Sequence, residues 1–103
     1  MASMFGGCTN LKYLDLSTFN TTLVKSFSSM FRECFSLISL DLSNFNTIFA
    51  TSLNYMFEYC ESIEELKLPI SNVNELSFMF YNCKKLKKLN LIFDSFYKII
   101  SIS

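Results

Sequence analysis

Residues 30–42 read MFRECFSLISLDL, and the same pattern of residue types occurs in three further copies along the 103-residue chain. The shared form is M-F-x-x-C-x-x-L-x-x-L-x-L, with Ile63 in place of one leucine. Its Met-Phe pair begins at Met4, Met30, Met56 and Met79, at intervals of 26, 26 and 23 residues. A repeat of this length predicts a stack of similar coils, because one coil alone cannot bury its apolar face.

Each copy carries two kinds of apolar spacing. Leu40 and Leu42 alternate as in a strand, whereas Val24, Phe27, Met30 and Phe31 have the spacing of one helix face. The sequence therefore predicts an α/β leucine-rich-repeat solenoid of about four coils, with a short parallel sheet on the concave side and short helices on the convex side. The expected strand centres are Leu14, Leu40, Leu66 and Leu89.

The repeat accounts for the chain as one domain, residues 1–103, with coils at about 4–29, 30–55, 56–78 and 79–103. The short third interval loses its residues just after the strand, where Pro69-Ile70-Ser71 replaces a longer turn. No polar cap is visible at the N-terminal edge, and repeat stacks need such caps for solubility. This pattern favours a fragment of a longer array, a truncated product, or a protomer that associates end to end.

The composition of the chain argues against nucleic-acid binding, membrane insertion and catalysis. Nine basic and nine acidic residues leave no net charge, which argues against an electrostatic grip on nucleic acid or an anionic membrane. The uncharged run at residues 44–57 is too short and polar to span a bilayer, so we expect no membrane insertion by this segment. The chain has no histidine and no glycine-rich phosphate loop. We expect a non-enzyme with no cofactor.

The four cysteines recur once per repeat, at the same position of the pattern. Zinc ligands usually come in close pairs, often with histidine, and neither feature occurs in this sequence. We interpret the thiols as a structural cysteine ladder of small buried groups, without a metal. A disulfide between neighbours is a less favoured alternative. The ladder comprises Cys8, Cys34, Cys60 and Cys83.

Outward side chains of the predicted strands form rows across the coils, and such a face is where repeat stacks usually bind partners. The alternative is solvated charge with one weak pair between Asp41 and Lys67. The candidate binding residues on the concave face are Tyr13, Asp15, Ser17, Ser39, Asp41, Ser43, Glu65, Lys67, Lys88 and Asn90.

Two other surface features stand out. Lysines at 84, 85, 87 and 88 predict either a solvated edge strand or a docking patch for an anionic partner, and the edge is the preferred interpretation. Several aromatic residues fall outside the core positions of the repeat and are candidates for exposed contact groups: Phe35, Phe49, Tyr13, Tyr55, Tyr59, Tyr81 and Tyr97.

The L-x-x-L-D-L-S-x-F-N-T segment beside the Met-Phe-x-x-Cys turn resembles the BspA-type leucine-rich repeats of bacterial, mycoplasma and protist surface proteins. The resemblance covers roughly Met4 to Leu91 and is closest over Leu11–Thr47. It implies adhesion, or binding of a host or partner protein, by a cell-surface or secreted protein. No secretory signal is recognisable in the chain itself. Structural spacer coils in a longer array and an intracellular protein-interaction module remain as alternatives.

Overall fold

The computed structural model describes residues 1–71, 73 and 75–93. Three strands lie in this part, β1 (Ser39–Asp41), β2 (Glu65–Ile70) and β3 (Lys88–Phe93). They form one parallel sheet in the order β1-β2-β3. Tyr97 and the end of the predicted fourth coil lie outside the described residues.

The leucine alternation sets the register of the sheet. Leu40 of β1 lies opposite Leu66 of β2, which lies opposite Leu89 of β3. The 26- and 23-residue intervals of the repeat are therefore the offsets between paired strands. Side chains of a strand point alternately to its two faces, so Leu66, Leu68 and Ile70 are buried while Glu65 and Lys67 are exposed.

The predicted fold class is wrong in its helices, because the described residues form none. The first half of the segment with helical spacing contains isolated parallel bridges from Ser26 to Ser52 and from Ser52 to Glu75. Its second half begins a run of turns, which we call the turn arc: residues 3–8, 29–34, 55–60 and 78–83. In the second coil, the N–H groups of Met30, Arg32 and Cys34 each donate to the carbonyl three residues back. The alternate N–H groups, those of Ser29, Phe31 and Glu33, instead donate to carbonyls of the next coil.

The backbone of the turn arc explains why no helix forms. Ser29 and Glu33 have φ angles of 57° and 63°, in the left-handed region that a right-handed helix excludes. The same two positions have positive φ in every copy: Ser3, Ser29, Tyr55 and Phe78, then Gly7, Glu33, Tyr59 and Asn82. Apolar residues three apart can face inward from successive turns as well as from a helix, so the spacing alone did not distinguish the two.

The predicted strand near Leu14 is also absent, which leaves three strands in the described sheet instead of four. The stretch has one backbone hydrogen bond to the next coil on this side, from Ile38 N–H to the Lys12 carbonyl at 3.0 Å. Further on, the Asn44 amide donates to the carbonyls of Leu16 and Ser17, at 3.2 and 3.1 Å. A side chain thus takes the acceptors near the end of this segment.

The core runs through the repeats as columns of equivalent residues. Four phenylalanines, one from each Met-Phe pair, stack with ring centroids 5.6, 5.5 and 5.7 Å apart and nearly parallel planes. They are Phe5, Phe31, Phe57 and Phe80. Inward leucines of the strands pack against this column, and the inner two coils are the most completely buried.

Candidate functional site

The outward residues of the sheet form the rows that the repeat predicts. Ser39, Glu65 and Lys88 occupy one row, because Ser39 pairs with Glu65 and Glu65 pairs with Lys88. The next row contains Asp41, Lys67 and Asn90. We call this surface, together with the equivalent residues of the first coil, the sheet face. It contains all ten candidate binding residues, which line two larger hollows with a smaller one of about 150 Å³ between them.

The first hollow lies where the first coil is not paired with β1 as a strand. It is an open depression of about 510 Å³. Tyr13, Asp15 and Asp41 line it, together with Ser17, Ser39, Ser43, Asn44 and the leucines at 14 and 16. Tyr13 is 66% exposed, so most of its ring is open to solvent. We call this depression the acidic hollow, since its two charged residues are both carboxylates.

Local turns hold both carboxylates in place. Asp41 Oδ1 accepts hydrogen bonds from the Ser43 N–H at 2.9 Å and the Ser43 hydroxyl at 2.6 Å. Asp15 Oδ1 accepts the Ser17 N–H at 2.9 Å. These hydrogen bonds lower the pKa of each aspartate. The aspartates of the repeated Asp-Leu-Ser therefore shape the turn and remain charged at neutral pH.

The second hollow, of about 410 Å³, lies across β2 and β3. Its charged residues are Glu65, Lys67, Lys87 and Lys88. Lys88 and Glu65 form an ion pair at 3.4 Å, which partly neutralises this hollow. Lys67 is the register partner of Asp41, as predicted, but the Asp41 carboxylate bonds Ser43 and Lys67 makes only a minor contribution to its lowered pKa.

The lysine cluster pairs with acids one coil earlier, at the 23-residue offset. Lys84 lies 3.5 Å from Glu61, and Lys87 lies 3.3 Å from Glu64. With the Lys88–Glu65 pair, three of the four lysines are matched to three glutamates. The side chains of these three lysines remain 64–78% exposed, so the pairs are solvated surface pairs, and Lys88 lies on β3 at an edge of the described sheet. Aligning the repeats and comparing charges at equivalent positions would have revealed these pairs from the sequence.

The cysteines line up along the stack, and all four are free thiols. Three donate to the Phe carbonyl of the preceding coil: Cys34 to Phe5 at 3.2 Å, Cys60 to Phe31 at 3.0 Å, and Cys83 to Phe57 at 3.1 Å. Burial raises the pKa of Cys34 and Cys83 to about 11, which disfavours the reactive thiolate. Among the described residues, no group of three or more potential ligands could hold a metal ion.

The aromatic residues outside the core positions divide into two groups. Tyr13, Phe49, Tyr55 and Tyr81 are exposed, whereas Phe35 and Tyr59 are half-buried. On the turn arc, Tyr55 stacks on Phe78 at 5.6 Å, and the Arg32 guanidinium lies 5.8 Å from the Tyr55 ring. Of these six described residues, only Tyr13 lies on the sheet face.

Comparison with known proteins places this stack of repeats in a family. Residues 1–92 match the family described as "Mycoplasma protein of unknown function, DUF285", and the chain belongs to that family. Neither a curated protein nor a solved structure matches the chain. In the described part of the chain, no helix is long and apolar enough to cross a membrane.

Proposed function

We propose that the protein is a non-catalytic protein-binding module that uses its sheet face. One observation carries the proposal: the acidic hollow combines an exposed tyrosine with two fixed carboxylates on an ordered repeat scaffold. Tyrosine is enriched in protein interfaces because it offers apolar area and a polar hydroxyl at small entropic cost.

The charges of the acidic hollow define the partner chemistry. Asp15 and Asp41 would attract a lysine or arginine side chain, and the Tyr13 ring would cover its aliphatic stem or face its cation. The same carboxylates would repel the phosphates of a nucleic acid. The partner is therefore a protein segment that presents a basic side chain beside an apolar one.

Binding of two synthetic peptides to the 103-residue chain tests this function. Fluorescence anisotropy would compare a lysine- and arginine-containing peptide with a peptide of the same length in which glutamate replaces the basic residues. We expect the basic peptide to bind more tightly, and added salt to weaken it. Equal affinities for the two peptides would contradict the proposal.

The carboxylates can be neutralised without loss of the turns, since an asparagine oxygen still accepts the same N–H bond. We expect the double variant D15N/D41N to bind the basic peptide roughly three- to tenfold more weakly, as two exposed charge pairs would allow. Glu75→Gln is the matched control, because Glu75 is exposed and bonds Asn54 away from the sheet face. An unchanged affinity in the double variant would argue against the acidic hollow.

A structural spacer is the second candidate function. The hydrogen bonds of the recurrent aspartates favour it, because they give these residues a structural role. The recurrent Asp15 and Asp41 are both engaged in turns, with Ser17 and Ser43. Recurrence of these residues is thus explained without a ligand. A spacer predicts that Tyr13→Ala leaves both folding and binding unchanged, whereas the binding module predicts weaker binding at unchanged stability.

The resemblance to BspA-type repeats supports a cell-surface location in an adhesion role. The four free thiols favour the intracellular alternative, since oxidising compartments promote disulfides. Labelling of intact cells with a membrane-impermeant amine reagent separates the two locations. Modification of the exposed lysines before lysis would support the surface, and modification only after lysis would support the intracellular module.

A further inference from the structure

The hollows of the sheet face join into one trough that crosses the strands. The smaller hollow, of about 150 Å³, shares Ser39 and Asp41 with the acidic hollow and shares Glu65 and Lys67 with the second hollow. Rows of a parallel sheet run across its strands, at about 4.8 Å per strand. The trough therefore passes over β1 and β2 and can hold one continuous segment of a partner along the rows.

The charge of the trough changes sign along its length. The acidic hollow contains the carboxylates of Asp15 and Asp41, and no described lysine or arginine lines it. The second hollow contains three lysines against the single carboxylate of Glu65. A partner that lies along the trough therefore meets negative charge over the first two coils and positive charge over the next two.

Lys67 is the cation of the second hollow that is left for a partner. Lys87 and Lys88 form ion pairs with Glu64 and Glu65, at 3.3 and 3.4 Å. Lys67, in contrast, is exposed and forms no ion pair with a described carboxylate. It lies on β2, the middle strand of the described sheet, where neighbouring strands fix its backbone on both sides.

Asp41 does not neutralise Lys67, although the register places the two residues opposite one another. Opposite charges on neighbouring strands commonly pair. The Asp41 carboxylate instead accepts two hydrogen bonds from Ser43, one from its N–H and one from its hydroxyl. The trough thus keeps a fixed carboxylate and an unpaired ammonium group on neighbouring strands, each available to an opposite charge of a partner.

The distance between the two charges fits an extended segment. The point midway between Asp15 and Asp41 lies one and a half coil spacings from Lys67 along the row, which is about 7 Å. Residues i and i+2 of an extended peptide are about 6.8 Å apart and point to the same face. Adjacent residues point to opposite faces, so they cannot reach both sites of the trough together.

We propose that the partner is an extended protein segment with a basic and an acidic residue two positions apart. The basic side chain would lie between Asp15 and Asp41 beside the Tyr13 ring, and the acidic side chain would pair with Lys67. This inference rests on the proposed function, because it adds a second contact on the same sheet face. A segment with only basic residues would leave Lys67 unpaired and would bring a second positive charge toward it.

Three labelled peptides of equal length test the spacing of the charges with the 103-residue chain. The first contains Lys-x-Glu, the second contains Lys-x-Gln, and the third has the composition of the first but places the glutamate directly after the lysine. Fluorescence anisotropy would give the three affinities. We expect the first peptide to bind about two- to fivefold more tightly than either of the others, as one exposed charge pair would allow.

A variant of the protein removes the same contact from the other side. Lys67→Gln should bind the Lys-x-Glu and Lys-x-Gln peptides equally, and its thermal unfolding should match that of the wild type because Lys67 is exposed. Lys85→Gln is the matched control, since Lys85 is exposed on the turn before β3. This control should keep the full preference for the Lys-x-Glu peptide.

The failure of this inference can be distinguished from the failure of the proposed function. A Lys-x-Glu peptide that binds no more tightly than Lys-x-Gln would overturn the inference, and so would a preference that survives in Lys67→Gln. Equal binding of the peptide with adjacent charges would overturn it as well. In these cases, weaker binding of the Lys-x-Gln peptide to D15N/D41N would leave the proposed function standing. If none of the peptides binds, both proposals fall.

Discussion

Removal of one ring from the phenylalanine column gives a direct test of how the stack is held together. Phe57 is fully buried and lies between Phe31 and Phe80, with ring centroids 5.5 and 5.7 Å away. Phe57→Ala removes most of a buried side chain and leaves a cavity, at a cost of about 3–5 kcal/mol. Two near-parallel ring contacts are lost as well, so we expect a value in the upper part of that range.

Urea unfolding followed by circular dichroism measures this cost. With a denaturant slope of about 1–3 kcal/mol/M, a loss of about 4 kcal/mol lowers the unfolding midpoint by more than about 1 M. Phe57→Leu separates the two contributions, because it keeps most of the apolar volume and loses the ring contacts. We expect its cost to be about 1–2 kcal/mol.

Phe49→Ala serves as the control, since Phe49 is 54% exposed on a turn and lies outside the column. Its effect should stay within about 0.5 kcal/mol. The reasoning fails if Phe57→Ala costs less than about 1 kcal/mol, or if Phe49→Ala is equally damaging. Either result would mean that the column does not carry the contacts between coils.

Three smaller predictions concern the polar contacts between coils. Thr21→Val should lower the free energy of unfolding in urea by about 1–3 kcal/mol, because the buried Thr21 hydroxyl donates to the Asn46 carbonyl and accepts from the Asn46 N–H in the next coil. Thr22→Val, at an exposed position, should leave the free energy of unfolding unchanged. Lys87→Gln should cost less than about 1 kcal/mol, and a double-mutant cycle with Glu64→Gln should lose its coupling in about 1 M salt. Stability should fall as pH rises above about 8.5, because unfolding frees the Cys34 thiol to ionise while the folded thiol has a pKa of about 11. The urea midpoint should drop less between pH 8 and pH 10.5 in Cys34→Ala, and an identical drop would contradict this assignment.

Much of the sheet was predictable from the repeat alone. The intervals of 26 and 23 residues predicted which leucines pair, and Leu40, Leu66 and Leu89 do lie opposite one another. The rows of the sheet face followed from the same intervals. The predicted helices were wrong because apolar spacing indicates only which side chains face inward. It does not indicate whether the backbone N–H groups donate within one coil or to the next coil.

The geometry of the candidate binding site depends on side-chain hydrogen bonds that the repeat pattern does not specify. Asp15 and Asp41 were predicted as outward residues, but their use in turns with Ser17 and Ser43 became apparent only from the hydrogen bonds. The acidic hollow lies where the first coil is not paired with β1 as a strand. Beside it, the Asn44 side chain donates to the carbonyls of Leu16 and Ser17, which the repeat did not predict.

The sequence by itself determined the number of repeats, their register and the residues that face the core, because apolar residues that recur at a fixed period must line up between coils to be buried. Tertiary structure alone decided how each coil closes. Left-handed residues such as Ser29 and Glu33 turn alternate N–H groups out of the coil, and those groups find their acceptors in the next repeat. No residue pattern within one repeat indicates a backbone hydrogen bond to the next repeat, so only the tertiary structure reveals these hydrogen bonds.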